Sequence, residues 1–298
     1  MCGIVGLFLK DSMLEPELGG MLSQMLVTMT DRGPDSAGIA VYGGGDAGQL
    51  KVSVQSDTPD TDFDAFSATL KEAIGDNFSV ERKNTHAIYA IAKNSLPTFK
   101  AILSERYPHL TTMSRGETIE IFKEVGLPKD VVKRFGIDAM TGTHGIGHTR
   151  MATESAVTTN GAHPFSTGAD QCLVHNGSLS NHNNLRRELT RNNITLETEN
   201  DSEVAAAYLT WRMQNGDNLG QALEASLGDL DGFFTFVVGT KDGFGVLRDP
   251  IACKPAVLAE TDQYVAFGSE YRALAELPGI RGARIWEPEP ATVYFWER

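Results

Sequence analysis

The sequence predicts an α+β fold of layered, largely antiparallel sheets. Two observations carry that expectation. Short runs of β-branched and aromatic residues recur along the chain between glycine- and proline-containing breaks. Only a few segments of helical apolar spacing stand among them.

In order, "CGIVGLFL" (2–9) reads as a buried strand whose glycines let backbones approach closely. "LGGMLSQMLVTMTDRG" has apolar residues at helical spacing and stops at Asp31-Arg32-Gly33-Pro34. "SAGIAVYGGG" is a second strand entering a glycine-rich turn. Residues 50 to 142 change character: strands "KVSVQS" and "HAIYAIA", and expected helices "FDAFSATLKEAI", "LPTFKAILSERY" and "ETIEIFKEVG". No cluster there suggests chemistry, so the region reads as an α+β insertion at about 50–142 within one domain spanning 1–298. From Thr143 the dense pattern resumes with "THGIGHTRMAT" and "QCLVHNGSLS". Helices follow at about 181–193 and 202–214, then strands "GFFTFVVGT", "GFGVLRD", "PAVLAE", "YVAFGSE" and "ATVYFW".

With 298 residues the chain can bury a sizeable core. Its net charge of −13 argues against nucleic acid or an anionic membrane surface as a partner. No apolar run is long enough to span a bilayer, and the N-terminus lacks the pattern of a secretory signal. Three scattered cysteines suit neither a disulfide framework nor a zinc site, and the cytoplasm is the expected compartment. Cys172 reads as a buried core thiol and Cys253 as structural. Cys2 is different. If Met1 is removed, Cys2 carries a free α-amine beside its thiol.

Five segments hold polar or glycine residues that a simple core would not require: Cys2 itself, "DRGPDSAGI" (31–39), "GHTRMAT" (147–153), "HNGSLSN" (175–181) and "ENDSEV" (199–204). Each has a bland reading. "DRGPDS" and Asn-Gly form turns by composition, and Asp201 or Ser202 serves as a helix N-cap.

As an ordered set, "MCGIVG", "RGPDSAGIA", "GHTRMAT", "HNGSLSNHNNLR", "DSE" and "RDPIACKP…FGSEYRAL" resemble the class II glutamine amidotransferases, which are N-terminal nucleophile hydrolases. The resemblance covers roughly 1–48 and 143–276. It implies a four-layer αββα sandwich and hydrolysis of glutamine to glutamate and ammonia through a Cys2 thioester. The free α-amine, with an ordinary pKa of about 8, would serve as the base. Asn176, through its side chain, and Gly177, through its N–H, match the donors for the oxyanion. Arg150 matches the anchor of the substrate carboxylate, with Thr153 beside it, and Asp201 the acid that receives the α-ammonium. Arg32 and Asp35 match the turn that supports the nucleophile from behind.

The chain departs from the family pattern at Met151, where an aromatic residue is usual, and at Glu154-Ser155. The additional carboxylate either biases recognition toward another γ-amide or points to solvent. The insertion is longer than expected and either docks a partner or decorates the surface. His144, His148, His163, His175 and His182 lack a compact metal spacing. His148 and His175 read as satisfied structural histidines. No phosphate loop and no flavin or nicotinamide fingerprint is present, so no metal and no cofactor are expected on this chain.

Only about twenty residues follow the last family-like stretch, too few for a second catalytic domain. The ammonia acceptor is therefore expected on another subunit of a hetero-oligomer. The chain is similar to stand-alone amidotransferase subunits of glutamate synthase-related enzymes, those of N-methylglutamate synthases among them. That likeness implies glutamate synthase-like partner chains carrying FMN and iron–sulfur clusters. Two other classes stay open: a free-standing hydrolase of another amide, and a non-catalytic subunit that has kept the fold.

Overall fold

The computed structural model describes residues 2–45, 48–152 and 156–298. Its first strand, β1 (Gly3–Leu9), is buried on both faces, which is why it reads as an unbroken apolar run. Alternation gives each face its own partner. Val5, Leu7 and Leu9 join one core with α1 (Leu18–Thr28), whereas Ile4 and Phe8 join another with a second sheet.

The chain continues through β2 (Ser36–Tyr42), β3 (Gln49–Gln55), α2 (Pro59–Ile74), β4 (Phe78–Lys83) and β5 (His86–Ala92). After α3 (Leu96–Arg106) and β6 (Thr111–Gly116) come β7 (Ile119–Val125), α4 (Pro128–Phe135), β8 (His144–Arg150) and β9 (Cys172–Leu179). Three helices follow, α5 (His182–Arg191), α6 (Asp201–Gln214) and α7 (Leu219–Asp229). β10 (Gly232–Gly239), β11 (Gly243–Arg248), β12 (Val257–Glu260), β13 (Tyr264–Gly268), β14 (Arg284–Trp286) and β15 (Val293–Glu297) complete it.

The strands form three sheets, in the orders β14-β12-β13-β1-β8-β2-β7, β15-β11-β10-β9 and β4-β5-β3-β6. Their pairings are antiparallel. Three cores order the layers. One lies between α1, α4 and the seven-stranded sheet, one between that sheet and the β9–β11 sheet, and one between the latter and α5, α6 and α7. That is the αββα sandwich the motifs imply. Each large apolar side chain buried in it contributes about 1.5–3 kcal/mol.

Residues 49–116 build the third sheet in βαββαβ order, with α2 and α3 closing a core of their own around Phe63, Phe66, Tyr89 and Phe99. The chain then returns to the main body. "ETIEIFKEVG", expected as a helix, contains a strand instead: β7 pairs with β2 over seven residues, from Ser36↔Val125 to Tyr42↔Ile119. Its Glu and Lys residues favour a helix locally, but the open edge of a sheet outweighs so small a preference. β4, β6, α4, α7 and β14 were not anticipated from the sequence.

Candidate active site

Cys2 directly precedes β1, and the pairings of β1 decide what surrounds it. Gly3 lies opposite Thr149, so the end of β8 brings Arg150 and Met151 alongside. Ser36 lies opposite Arg150, which places the turn before β2 at the same end of the sheet. The Cys2 Sγ is 4.0 Å from the Met151 carbonyl oxygen and partly exposed. From the turn, Arg32 Nε donates to the Cys2 carbonyl at 2.9 Å, and the Ala152 N–H donates to Asp35 Oδ2 at 2.8 Å. Gly33 permits this approach, because a Cβ there would fall 2.5 Å from the Thr149 backbone.

The second sheet delivers its own groups. β9 is an edge strand, and Asn176 Nδ2 donates to the Cys2 carbonyl at 3.2 Å. Gly177 has φ of +151°, and a Cβ there would lie 1.9 Å from the Phe233 carbonyl oxygen. No other residue fits that position. Asp201 Oδ2 accepts the Leu179 N–H at 2.9 Å, two residues beyond Gly177. The bland reading of Asp201 or Ser202 as N-cap is corrected: the cap of α6 is Asn200, whose side chain accepts the Ser202 N–H at 2.9 Å. Asp201 is thereby left in the first turn with its carboxylate turned toward β9.

Arg150 is buried, and its Nη1 donates to the Ala156 carbonyl at 3.3 Å. Cys2, Arg32, Asp35, Arg150, Asn176, Gly177 and Asp201 thus stand at neighbouring ends of β1, β2, β8, β9 and α6. Thr153, Glu154 and Ser155 lie outside the described residues, as does Met1.

Beneath this end sit three buried histidines. The rings of His148 and His163 stack with centroids 4.0 Å apart, His148 Nε2 donates to the His175 carbonyl at 3.1 Å, and His175 Nδ1 meets Ser202 Oγ at 2.9 Å. Burial holds His148 down to about 3, so it is neutral at neutral pH. The expectation of satisfied histidines holds for one nitrogen of each ring only, since His148 Nδ1 and His175 Nε2 have no hydrogen-bond partner among the described residues. Among the described residues no group of three or more His, Cys, Asp or Glu is placed to hold a metal ion. None of their helices is long and apolar enough to cross a membrane.

Two residues without an assigned role in the sequence reading join the site. Glu270 Oε1 accepts from Arg32 Nη1 at 2.6 Å, and its other oxygen pairs with Arg272 at 2.6 Å. The Arg32 hydrogen bond above all holds the Glu270 carboxyl below its usual range. Ser269 Oγ accepts the Ile4 N–H at 2.9 Å, while its own N–H donates to the Ile4 carbonyl at 2.9 Å. The signal was the "FGSEYRAL" motif itself, which marked a place but not a partner.

The other cysteines differ from each other. Cys172 is buried against Tyr42 Oη at 3.2 Å, and burial pushes its thiol up to about 12. Cys253, expected as structural, is exposed.

Residues 148–276 match the glutamine amidotransferase domain family. The chain belongs to the glutamine amidotransferase family. It is 68% identical to the glutamine amidotransferase-like protein GlxB of Rhizobium meliloti (strain 1021), over all of this chain and 98% of that one. A putative glutamine amidotransferase of Methanothermobacter thermautotrophicus is 33% identical over 99% of both chains. The glutamine phosphoribosylpyrophosphate amidotransferase of B. subtilis has the same fold, with a TM-score of 0.63 at 18% identity. That match covers 99% of this chain and 47% of the solved one.

Proposed function

We propose that this protein is the glutaminase subunit of a glutamate synthase-like complex and that Cys2, freed by removal of Met1, is its nucleophile. The α-amine takes the thiol proton, and Sγ attacks the side-chain amide carbon of glutamine. The oxyanion formed is held by Asn176 Nδ2 and the Gly177 N–H. As the C–N bond breaks, the amine returns its proton to the leaving nitrogen, releasing ammonia and a thioester. Water, deprotonated by the same amine, cleaves the thioester to glutamate. Arg150, with Thr153, binds the substrate α-carboxylate, and Asp201 its α-ammonium.

The observation that carries this reading is the 3.2 Å contact of Asn176 with Cys2, which brings an amide donor from one sheet onto the start of another. Removing one such donor in other acyl-transfer enzymes costs on the order of 100- to 1,000-fold in rate. The acceptor of the nitrogen is a partner chain bearing FMN and iron–sulfur clusters, of the N-methylglutamate synthase type, joined with this subunit in a hetero-oligomer.

Intact mass tests the first part. The mature protein should be one methionine lighter than its gene product and should gain one adduct on Cys2 from a glutamine-mimicking diazoketone. A chain that keeps Met1, or stays unlabelled with its partners present, points to a non-catalytic subunit. Co-purification from the source cell tests the second part: recovery without any flavin-bearing chain would overturn the partner assignment.

A further inference from the structure

Away from Cys2, a cavity of about 900 Å³ opens between the 49–116 module and the main body. That volume lies in the range of small-molecule sites. From the module, Lys100 on α3 and Arg115 on β6 face it, with Thr112 between them in sequence. Across the cavity stand Asn160, Thr195 and Glu197. The module and the body are tied by the Asp170 N–H, which donates to the Arg115 carbonyl at 2.9 Å.

Among the described residues neither Lys100 nor Arg115 forms an ion pair. In a chain with 39 acidic and 26 basic side chains, carboxylates are plentiful, so two unpaired neighbouring cations in one cavity are a departure. Both line the same cavity, and partial desolvation there, followed by the Arg115 charge, lowers the Lys100 ammonium pKa. An anion between them would relieve that repulsion and accept from a guanidinium fork, an ammonium and the Thr112 hydroxyl.

We infer that this cavity is a second ligand site, which takes a small metabolite through a carboxylate or phosphate group held by Lys100 and Arg115. Glu197 and Glu203 on the facing wall outnumber Lys123 beside them, so the far end disfavours a second negative group and favours an amine or hydroxyl. The body wall also leads toward the catalytic end. Lys123 Nζ pins it by donating to the carbonyls of Asn160 at 3.2 Å and Ala162 at 2.9 Å, and the same segment begins at Ala156, which Arg150 contacts. Occupancy therefore changes glutamine affinity. This last clause rests on the glutaminase reading; the binding itself does not.

Calorimetric titration of the full chain with inorganic phosphate, and separately with succinate, tests the site and distinguishes the two anion chemistries. At least one probe should bind, with affinity reduced about tenfold or more in Lys100→Ala/Arg115→Ala, the equivalent of about 1.4 kcal/mol. Arg115→Lys should retain part of it, and Arg150→Ala all of it. No heat from either probe, or equal affinity in the double variant, overturns the site. Loss in Arg150→Ala reassigns the binding to the catalytic end and overturns it too. If circular dichroism finds the double variant unfolded, Lys100→Glu, on an exposed helix position, must give the same loss. Binding that leaves the glutamine KM unchanged overturns the coupling alone.

Discussion

Arg32 Nε and the Cys2 carbonyl oxygen are 2.9 Å apart, and the same guanidinium reaches Glu270 at 2.6 Å. One planar fork thus joins the residue before β1 to Glu270, two residues beyond the end of β13. Two strands that already pair, with Val5 opposite Gly268, are locked at the end where Cys2 stands. A lysine could supply the charge but not two donors in fixed directions.

Glu270→Gln tests that relay. It keeps a carbonyl for Arg32 and removes the charge from a partly exposed pair, a loss of about 1 kcal/mol or less. The expected result is a kcat reduced several-fold with the glutamine KM nearly unchanged. A raised KM at constant kcat would mean that Glu270 serves substrate binding instead.

Gly177→Ala should abolish glutaminase activity and destabilise the protein by about 1–3 kcal/mol, since the φ of +151° and the Phe233 carbonyl leave no room for a methyl group. Gly228→Ala is the contrast. It lies in α7 with nothing within 4 Å of the new Cβ, so the gain in helix propensity should stabilise by about 0.5–1 kcal/mol. Thermal melts of the two variants should move in opposite directions.

Acid should weaken the fold before its carboxylates titrate. Burial holds His86, His144 and His148 each down to about 3, from 6.5. Below pH 6.5 the unfolded chain takes up protons that the folded chain refuses, so stability falls from pH 6.5 toward about 3. At pH 5 each histidine costs at most about 2 kcal/mol. Glu270, held below its usual range, acts only at lower pH. His144→Gln keeps a donor for the Thr240 carbonyl and should give a shallower loss of melting temperature between pH 7 and 5. An unchanged slope would exclude His144 as a source.

Thiol reagents should separate the cysteines. Cys253 is exposed and Cys2 partly so, whereas Cys172 is buried with its thiol pushed up to about 12. Two thiols should react in native protein and a third only after unfolding. Three fast thiols would contradict the burial of Cys172.

Much of the site was legible as residue types in order: a cysteine at position two, an arginine after "GHT", Asn-Gly after a strand, an acid opening a helix. These survive in one dimension because each is bound to a local pattern, such as a strand end, a turn or a first helical turn. Glu270 was not legible as a partner, because its bond to Arg32 spans 238 positions. The β7 strand was misread for a related reason, since a neighbouring strand 83 positions away selected its conformation.

By itself the sequence determined the two-faced apolar strands, the helices α1, α2, α3, α5 and α6 and the chemistry each motif can offer, because these follow from local spacing and side-chain type. The tertiary structure decided which of those groups meet. Antiparallel register set Gly3 against Thr149 and Ser36 against Arg150, and sheet stacking brought Asn176 to Cys2. Register and stacking come from burying both sheets' apolar faces at once, a sum over distant residues that no local stretch contains.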